Sequence, residues 1–167
     1  MPVLTVGQVR LLTVDAPAVA AKVARDIGIL PSETKSSADH ITIQMEPPVR
    51  EPELMITGSQ LTALSSDQAA FDKALEQCLI FAKISPHQKL QVVKGLQKGG
   101  GQAFAFLGDG VNDALAIRAA DVGISVDSGT EIAKEAADVI LLEKSLDVIA
   151  HGILEGRLTW VLFFFLH

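Results

Sequence analysis

The residues best suited to chemistry lie in one short segment, Gly108-Asp109-Gly110-Val111-Asn112-Asp113. It follows an apolar stretch and places two carboxylates and an amide close together, on a turn that its glycines allow to be tight. Mg²⁺ prefers such hard oxygen ligands, and it usually takes one or two carboxylates beside water and phosphate oxygens. Asp109 and Asp113 are therefore candidate metal ligands. The simpler alternative is a loop in which Asp and Asn act only as turn formers.

Two further polar positions are candidates for phosphate binding. Lys89 lies in the first turn of a helix predicted to begin at Ser85, where its charge opposes the helix dipole unless an anion binds there. Thr13 and Asp15 follow a predicted strand, and Asp15 could serve only as the N-cap of the next helix. On these residues alone, a solvated surface lysine and a simple N-cap are the favoured interpretations.

The other polar residues and the overall charge exclude several classes of function. The four histidines have no ligand spacing, so no role is assigned to them. Cys78, the only cysteine, has no flanking base and is expected to pack in the core. A single cysteine also excludes a disulfide framework and a Cys-based zinc site. The net charge of -6, with no basic block, argues against binding to nucleic acid or to anionic lipid.

These residues would be positioned by short apolar strands that alternate with helices. The pattern predicts strands at 9–14, 79–84, 103–107, 122–126 and 139–142. It predicts helices at 17–28, 65–77, 85–98 and 112–120, a helix capped by Ser128 and Glu131, and a last helix from Ser145 onward. Such strands favour an α/β fold, a parallel sheet covered by helices on both faces, with chemistry at the carboxyl ends of the strands. The proline-rich stretch 31–52 is predicted to be a mobile surface loop.

The first predicted helix carries a regular apolar row. Val19, Val23 and Ile27 recur every four residues, which predicts a face that packs against the sheet. Pro17 fits the first turn of this helix, and Gly28 fits its C-terminal end.

Taken together, these segments resemble the phosphorylation domain of P-type cation-transporting ATPases, in the haloacid-dehalogenase-like superfamily. The resemblance rests on Phe81-Ala82-Lys83-Ile84-Ser85-Pro86-His87-Gln88-Lys89 and on the segment from Gly108 to Asp113. The stretches DVGISVD at 121–127 and ILLEKSL at 140–146 are similar to the magnesium-transporting subgroup. The resemblance covers almost all of the chain outside 31–52 and implies a Rossmann-like, mostly parallel sheet.

The resemblance also implies a role for each candidate residue. Asp109 and Asp113 match the aspartates of the family's Mg²⁺ site. Asn112 matches the asparagine that helps to hold the phosphoryl group, and Lys89 matches the lysine that neutralises its charge.

The cofactors and partners implied by the resemblance are Mg²⁺ and phosphate or ATP. In the intact family, ATP phosphorylates an aspartate in an Asp-Lys-Thr-Gly-Thr motif, and hydrolysis drives cation transport through a transmembrane bundle. The parent protein is thus expected in a membrane, with this part on the cytoplasmic face. A chain that exists alone is expected to be cytoplasmic and to meet the membrane only through other parts of the parent.

The sequence departs from the family pattern in several places. Thr13 and Asp15 match the outer residues of the family's Thr-Gly-Asp motif, but the middle residue is Val14, which is bulkier and disfavours a positive φ. Leu115 stands where a proline is expected. The sequence contains no Asp-Lys-Thr-Gly-Thr, no nucleotide-binding domain and no transmembrane bundle.

These departures predict an incomplete fold. Residues 1–157 are expected to be part of a phosphorylation domain, and 158–167 the start of a truncated stalk or transmembrane helix. In the superfamily the nucleophile strand is central, so the strands at 9–14 and 103–107 would lack their shared neighbour. Because unpaired buried backbone groups are costly, the sheet is expected to close the gap by re-pairing, or the chain to be marginally stable.

Three functions remain compatible with the sequence. The first is a fragment of a P-type ATPase that transports a cation such as Mg²⁺ and that is inactive alone because the phosphorylated aspartate is absent. The second is a non-catalytic module that binds Mg²⁺ or phosphate, or that docks on a full-length transporter. The third is a small phosphatase with Asp15 as the nucleophile, although Pro17 stands where a general acid would be needed.

Overall fold

The computed structural model describes residues 8–31, 54–98, 103–143 and 145–165. They divide into two compact units, one made of the described residues up to 98 and the other of those from 103 onward. The loop predicted at 31–52 lies outside the described residues, apart from its first residue.

The first unit is built on a parallel sheet of three short strands. These are β1 (Leu11–Leu12), β2 (Met55–Thr57) and β3 (Ile80–Ala82), in the order β1-β3-β2. Both outer strands are in register with Ile80, which pairs with Leu11 on one side and with Met55 on the other. All three residues of β3 are completely buried, so this strand is the centre of the unit's core.

The helices of the first unit begin and end at recognisable signals. They are α1 (Pro17–Asp26), α2 (Gly58–Leu64), α3 (Gln68–Gln77) and α4 (Pro86–Lys98). Proline occupies the first turn of α1, and the chain turns after this helix at Gly28, whose φ of +78° suits glycine. Thr57 caps α2 in a capping box with Gln60, and Asp67 caps α3.

The second unit has its own three-stranded parallel sheet. Its strands are β4 (Ala105–Leu107), β5 (Val122–Val126) and β6 (Val139–Leu141), in that order. A 3-10 turn at Val111–Asp113 leads into α5 (Ala114–Ala119), and α6 (Glu131–Ala136) and α7 (Leu146–Phe165) follow β5 and β6. The Asp138 carboxylate accepts a 2.7 Å hydrogen bond from the Gly123 N–H, and Asp121 accepts one of 2.8 Å from Phe104.

The α/β class with parallel strands is confirmed, and several details differ from the sequence prediction. Four of the five predicted strands are shorter than predicted, β5 has its predicted bounds, and β2 and α2 were not predicted at all. The described strands form two sheets in which β1 and β4 are both edge strands, so the expected re-pairing between them is not found there. Among the described helices, none combines the length and the apolar character that crossing a membrane requires.

Two local predictions are wrong. The apolar row of α1 does not pack inward, because Val19 and Ile27 are each 50% exposed and the helix instead contacts the sheet through small alanines. The N-cap of α6 is Thr130, whose hydroxyl accepts a hydrogen bond from Ala133, and not Ser128.

Candidate functional site

The loop after β4 carries the predicted metal ligands and folds back on itself. The Gly108 N–H donates to the Ile124 carbonyl at 3.1 Å, which keeps the start of the loop on the sheet. The Asp113 N–H then donates to the Gly110 carbonyl at 3.0 Å, and the Asp113 carboxylate accepts from the Gly110 N–H at 3.4 Å. The Asp113 side chain is therefore held over the backbone that precedes it.

Glycine is required at the start of this loop. A Cβ on Gly108 would lie 2.5 Å from the Cβ of Asp113 and 3.2 Å from its Oδ2. Any side chain there would displace the Asp113 side chain, so the first glycine of the motif has a direct steric reason.

A backbone hydrogen bond connects the same loop to the beginning of α6. The Asp109 carbonyl accepts a 2.8 Å hydrogen bond from the Thr130 N–H. This contact uses only the backbone of Asp109 and leaves its exposed side chain beside a cleft of about 340 Å³. The cleft lies at the carboxyl ends of β4, β5 and β6, and its lining comprises Leu107, Gly108, Asp109, Val126, Leu141, Ser145 and Leu146.

The donor set of this loop fits Mg²⁺. Asp109 and Asn112 are exposed and Asp113 is partly buried, so two carboxylates and an amide oxygen are presented by one turn. Within the described ranges, no group of three or more His, Cys, Asp or Glu side chains could hold a metal ion. An ion held by Asp109 and Asp113 would therefore need water or phosphate oxygens to complete its coordination, as Mg²⁺ usually does.

Thr13 and Asp15 are brought together by the turn after β1. The Thr13 hydroxyl donates to the Asp15 carboxylate at 2.7 Å, and the Asp15 N–H donates to the Thr13 hydroxyl oxygen at 3.1 Å. The favoured N-cap interpretation of Asp15 is wrong, because the N-cap of α1 is Ala16 and no side chain caps that helix. Val14, between them, is exposed.

Lys89 is buried in α4, with 6% of its surface exposed. The favoured interpretation as a solvated surface lysine is therefore wrong. Its N–H makes the first hydrogen bond of the helix, to the Ser85 carbonyl at 2.9 Å, as predicted for a residue in the first turn. A lysine is rarely buried to this extent without a polar or charged partner, so its burial is consistent with a specific role.

Other residues at the carboxyl end of the first unit's sheet were not singled out as functional candidates. Lys83 follows β3 with a φ of +52°, and its N–H donates to the Asp15 carbonyl at 2.9 Å. Gln88 contacts Gly58, at the start of α2, through a 2.7 Å hydrogen bond to its carbonyl. The spacing from Ser85 to Gln88 and from Thr57 to Gln60, each typical of a capping box, was the available signal.

The six predicted site residues therefore divide between the units. Thr13, Asp15 and Lys89 belong to the first, where Thr13 and Asp15 are in contact. Asp109, Asn112 and Asp113 share one turn of the second.

Cys78 is confirmed as a core residue, with 7% of its surface exposed. Burial raises the pKa of its thiol, and the nearby Arg10 guanidinium opposes this in part. Burial also lowers the pKa of Arg10. A thiol that burial keeps protonated is not a nucleophile.

Sequence comparison shows which proteins the chain is similar to. The protein named magnesium-transporting ATPase, P-type 1, from Salmonella typhimurium is 40% identical over 152 residues, or 91% of this chain, and so is its namesake from Escherichia coli K12. The chain is homologous to the P-type cation-transporting ATPases. A sodium/potassium-transporting ATPase subunit alpha-A from Artemia franciscana is 38% identical over 160 residues. This P-type ATPase homologue spans only 14% to 16% of the length of these relatives.

No family model matches the chain. A crystal structure of a zinc-transporting PIB-type ATPase in an E2.Pi state aligns with a TM-score of 0.47 and 25% identity, over 79% of this chain and 13% of the other.

Proposed function

We propose that the chain supplies the Mg²⁺- and phosphate-binding part of the phosphorylation domain of a P-type ATPase that couples ATP hydrolysis to cation transport. The observation that carries this proposal is 40% identity to magnesium-transporting P-type ATPases over 91% of the chain. The loop at Gly108–Asp113, at the carboxyl end of a parallel sheet, supports it. We propose Mg²⁺ as the transported cation because these relatives are named for it.

In this proposal, Asp109 and Asp113 hold the Mg²⁺ cofactor. The Asp113 carboxylate is oriented by the Gly110 N–H, and the backbone of Asp109 is held by its hydrogen bond with Thr130. When bound, Mg²⁺ supplies positive charge that offsets the charge of a phosphoryl group. Such positioning and charge neutralisation account for most of the catalysis of phosphoryl transfer.

Each remaining candidate residue has, in this proposal, the role that its match to the family motif implies. Asn112, exposed on the same turn, donates its amide hydrogens to phosphoryl oxygens. Lys89 contributes the positive charge of its ammonium group. Thr13 and Asp15, which are hydrogen-bonded to each other after β1, take the place of the outer residues of the family's Thr-Gly-Asp motif.

We propose the following organisation for the parent protein. Residues 1–157 belong to the phosphorylation domain, on the cytoplasmic face of a membrane protein, and 158–167 begin a stalk. Because the 167 residues contain no Asp-Lys-Thr-Gly-Thr, we propose that they bind Mg²⁺ or phosphate without hydrolysing ATP. An ATPase assay of the purified chain tests this, and turnover that is lost on Asp109→Asn would contradict it.

Calorimetry with Mg²⁺ tests the metal site directly. The wild-type chain is expected to release or absorb heat on titration with MgCl₂, and Asp113→Ala is expected to abolish that signal because one of two carboxylates is lost. Asp26→Ala, which removes an exposed carboxylate at the end of α1, is the matched control and should behave as the wild type does. Equal heats for the wild type and Asp113→Ala would exclude a specific site in this loop.

A further inference from the structure

We propose that Gln88 is a positioning residue for Lys89, and that it acts by fastening the first turn of α4 to the first turn of α2. The importance of this contact for phosphate binding rests on the function proposed above for Lys89. The contact itself is independent of that function.

The Gln88 side chain makes bonds to both helices. Its Oε1 accepts from the Ser85 N–H at 2.9 Å, and the Gln88 N–H donates to the Ser85 hydroxyl at 3.3 Å, which caps α4. Its Nε2 donates to the Gly58 carbonyl at 2.7 Å and to the Thr62 hydroxyl at 2.9 Å, both in α2. Both hydrogens of the amide nitrogen thus bond to α2, and the amide oxygen bonds to the cap of α4.

The approach of the two helices depends on Gly58. A Cβ there would lie 2.8 Å from Oε1 of Gln88 and 2.5 Å from the Lys83 carbonyl. Gly58 is buried, and its carbonyl also accepts a 2.9 Å hydrogen bond from the Thr62 hydroxyl. The absence of a side chain at the first residue of α2 therefore makes room for the Gln88 amide.

The consequence for Lys89 follows from its place in the chain. Lys89 is the next residue after Gln88 and is buried in the same turn, so a displacement of Gln88 moves the backbone that carries the lysine. The Gln88 amide is neutral, so it fixes this turn without adding charge beside the ammonium group. A glutamate at 88 could still accept from Ser85, but its carboxylate has no hydrogen to donate to Gly58 or Thr62.

This difference provides the test. Gln88→Glu keeps the cap of α4 and removes the link to α2, whereas Gln91→Glu makes the same charge change at an exposed position of the same helix. Thr62→Val removes one partner of Gln88 without changing charge. Urea unfolding and circular dichroism establish that each variant is folded before it is compared.

The readout is the rate at which each lysine is acylated, measured by mass spectrometry. We expect Lys89 to react about tenfold faster in Gln88→Glu, which loses both hydrogen bonds to α2, and more than twofold faster in Thr62→Val, which loses one of them. Lys94 and Lys98, farther along α4, should react at unchanged rates in both variants, as should Lys89 in Gln91→Glu. Unchanged Lys89 rates in both variants, or equal acceleration of all three lysines, would overturn the positioning role.

A second measurement separates this inference from the proposed function. Inorganic phosphate is titrated in the presence of Mg²⁺, and we expect about tenfold weaker binding for Gln88→Glu and none of that loss for Gln91→Glu. In the Lys89→Ala background, Gln88→Glu should cause no further loss if it acts through the lysine. A wild-type chain that does not bind phosphate would contradict the proposed function, and the acylation rates would still decide the role of Gln88.

Discussion

Ser125 carries a hydroxyl that is completely buried on β5 and has no hydrogen-bond partner within the described residues. It faces the turn before α6, since a Cβ on Gly129 would lie 2.9 Å from its Oγ. Burying an unsatisfied hydroxyl costs free energy that an alanine does not incur. We expect Ser125→Ala to raise the free energy of unfolding by about 1 kcal/mol, as measured by urea denaturation.

An exposed serine of the following turn provides the control for this prediction. Ser128→Ala should change the free energy of unfolding by less than about 0.5 kcal/mol. A clear loss of stability in Ser125→Ala, with Ser128→Ala unchanged, would show that the buried hydroxyl makes a stabilising contact.

Two glycines within helices are expected to respond in opposite ways to the same substitution. In α4, a Cβ on Gly95 would overlap Cδ1 of Leu75 and lie 3.4 Å from Cε1 of Phe71, so glycine lets α3 approach. In α7, a Cβ on Gly152 would meet nothing within 4 Å. We expect Gly95→Ala to lower the free energy of unfolding by about 1–3 kcal/mol, and Gly152→Ala to increase helicity and stability slightly.

Urea denaturation and far-ultraviolet circular dichroism of the two variants check this prediction. The helix propensity gained is the same in both, so the difference between them reports the packing of α3 on α4. If Gly95→Ala were as stable as Gly152→Ala, the two helices would not be in the close contact described.

Sequence predicts those elements whose own composition and whose flanking residues indicate the same structure. β5 was predicted with its observed bounds because VGISV is apolar and is followed by turn residues. β2 was missed because three residues followed at once by a helix leave no alternating pattern to detect. The burial of α1 was predicted wrongly because small alanines, rather than the larger valines, allow the helix to approach the sheet.

The candidate residues were also predictable only in part. The Gly108–Asp113 turn could be assigned because its ligands lie within one stretch of sequence. The bonds of Gln88 to Gly58 and Thr62 could not be, because they join positions about 30 apart and depend on how α2 and α4 meet. Burial of Lys89 likewise depends on tertiary packing, which its helical position does not reveal.

At the scale of the whole molecule, the two units differ in how many apolar side chains they bury. β3 and β5 are both central strands with a parallel neighbour on each side. The two strands therefore have the same hydrogen-bonding environment, and their amides can be compared directly. The first unit surrounds β3 with two apolar clusters. The buried apolar side chains described in the second unit are fewer, namely Ala116, Ile117, Ile124, Ala133 and Leu141.

This asymmetry predicts that the second unit opens more easily than the first. Because apolar burial is the main source of stability, the amides of β5 should exchange with deuterium at least about tenfold faster than those of β3, a difference of about 1.4 kcal/mol in opening free energy. Native-state hydrogen exchange of the full chain, followed by NMR or mass spectrometry, measures both strands in one sample. Equal protection of β3 and β5 would mean that the two units unfold together as one cooperative structure, whatever their separate cores contribute.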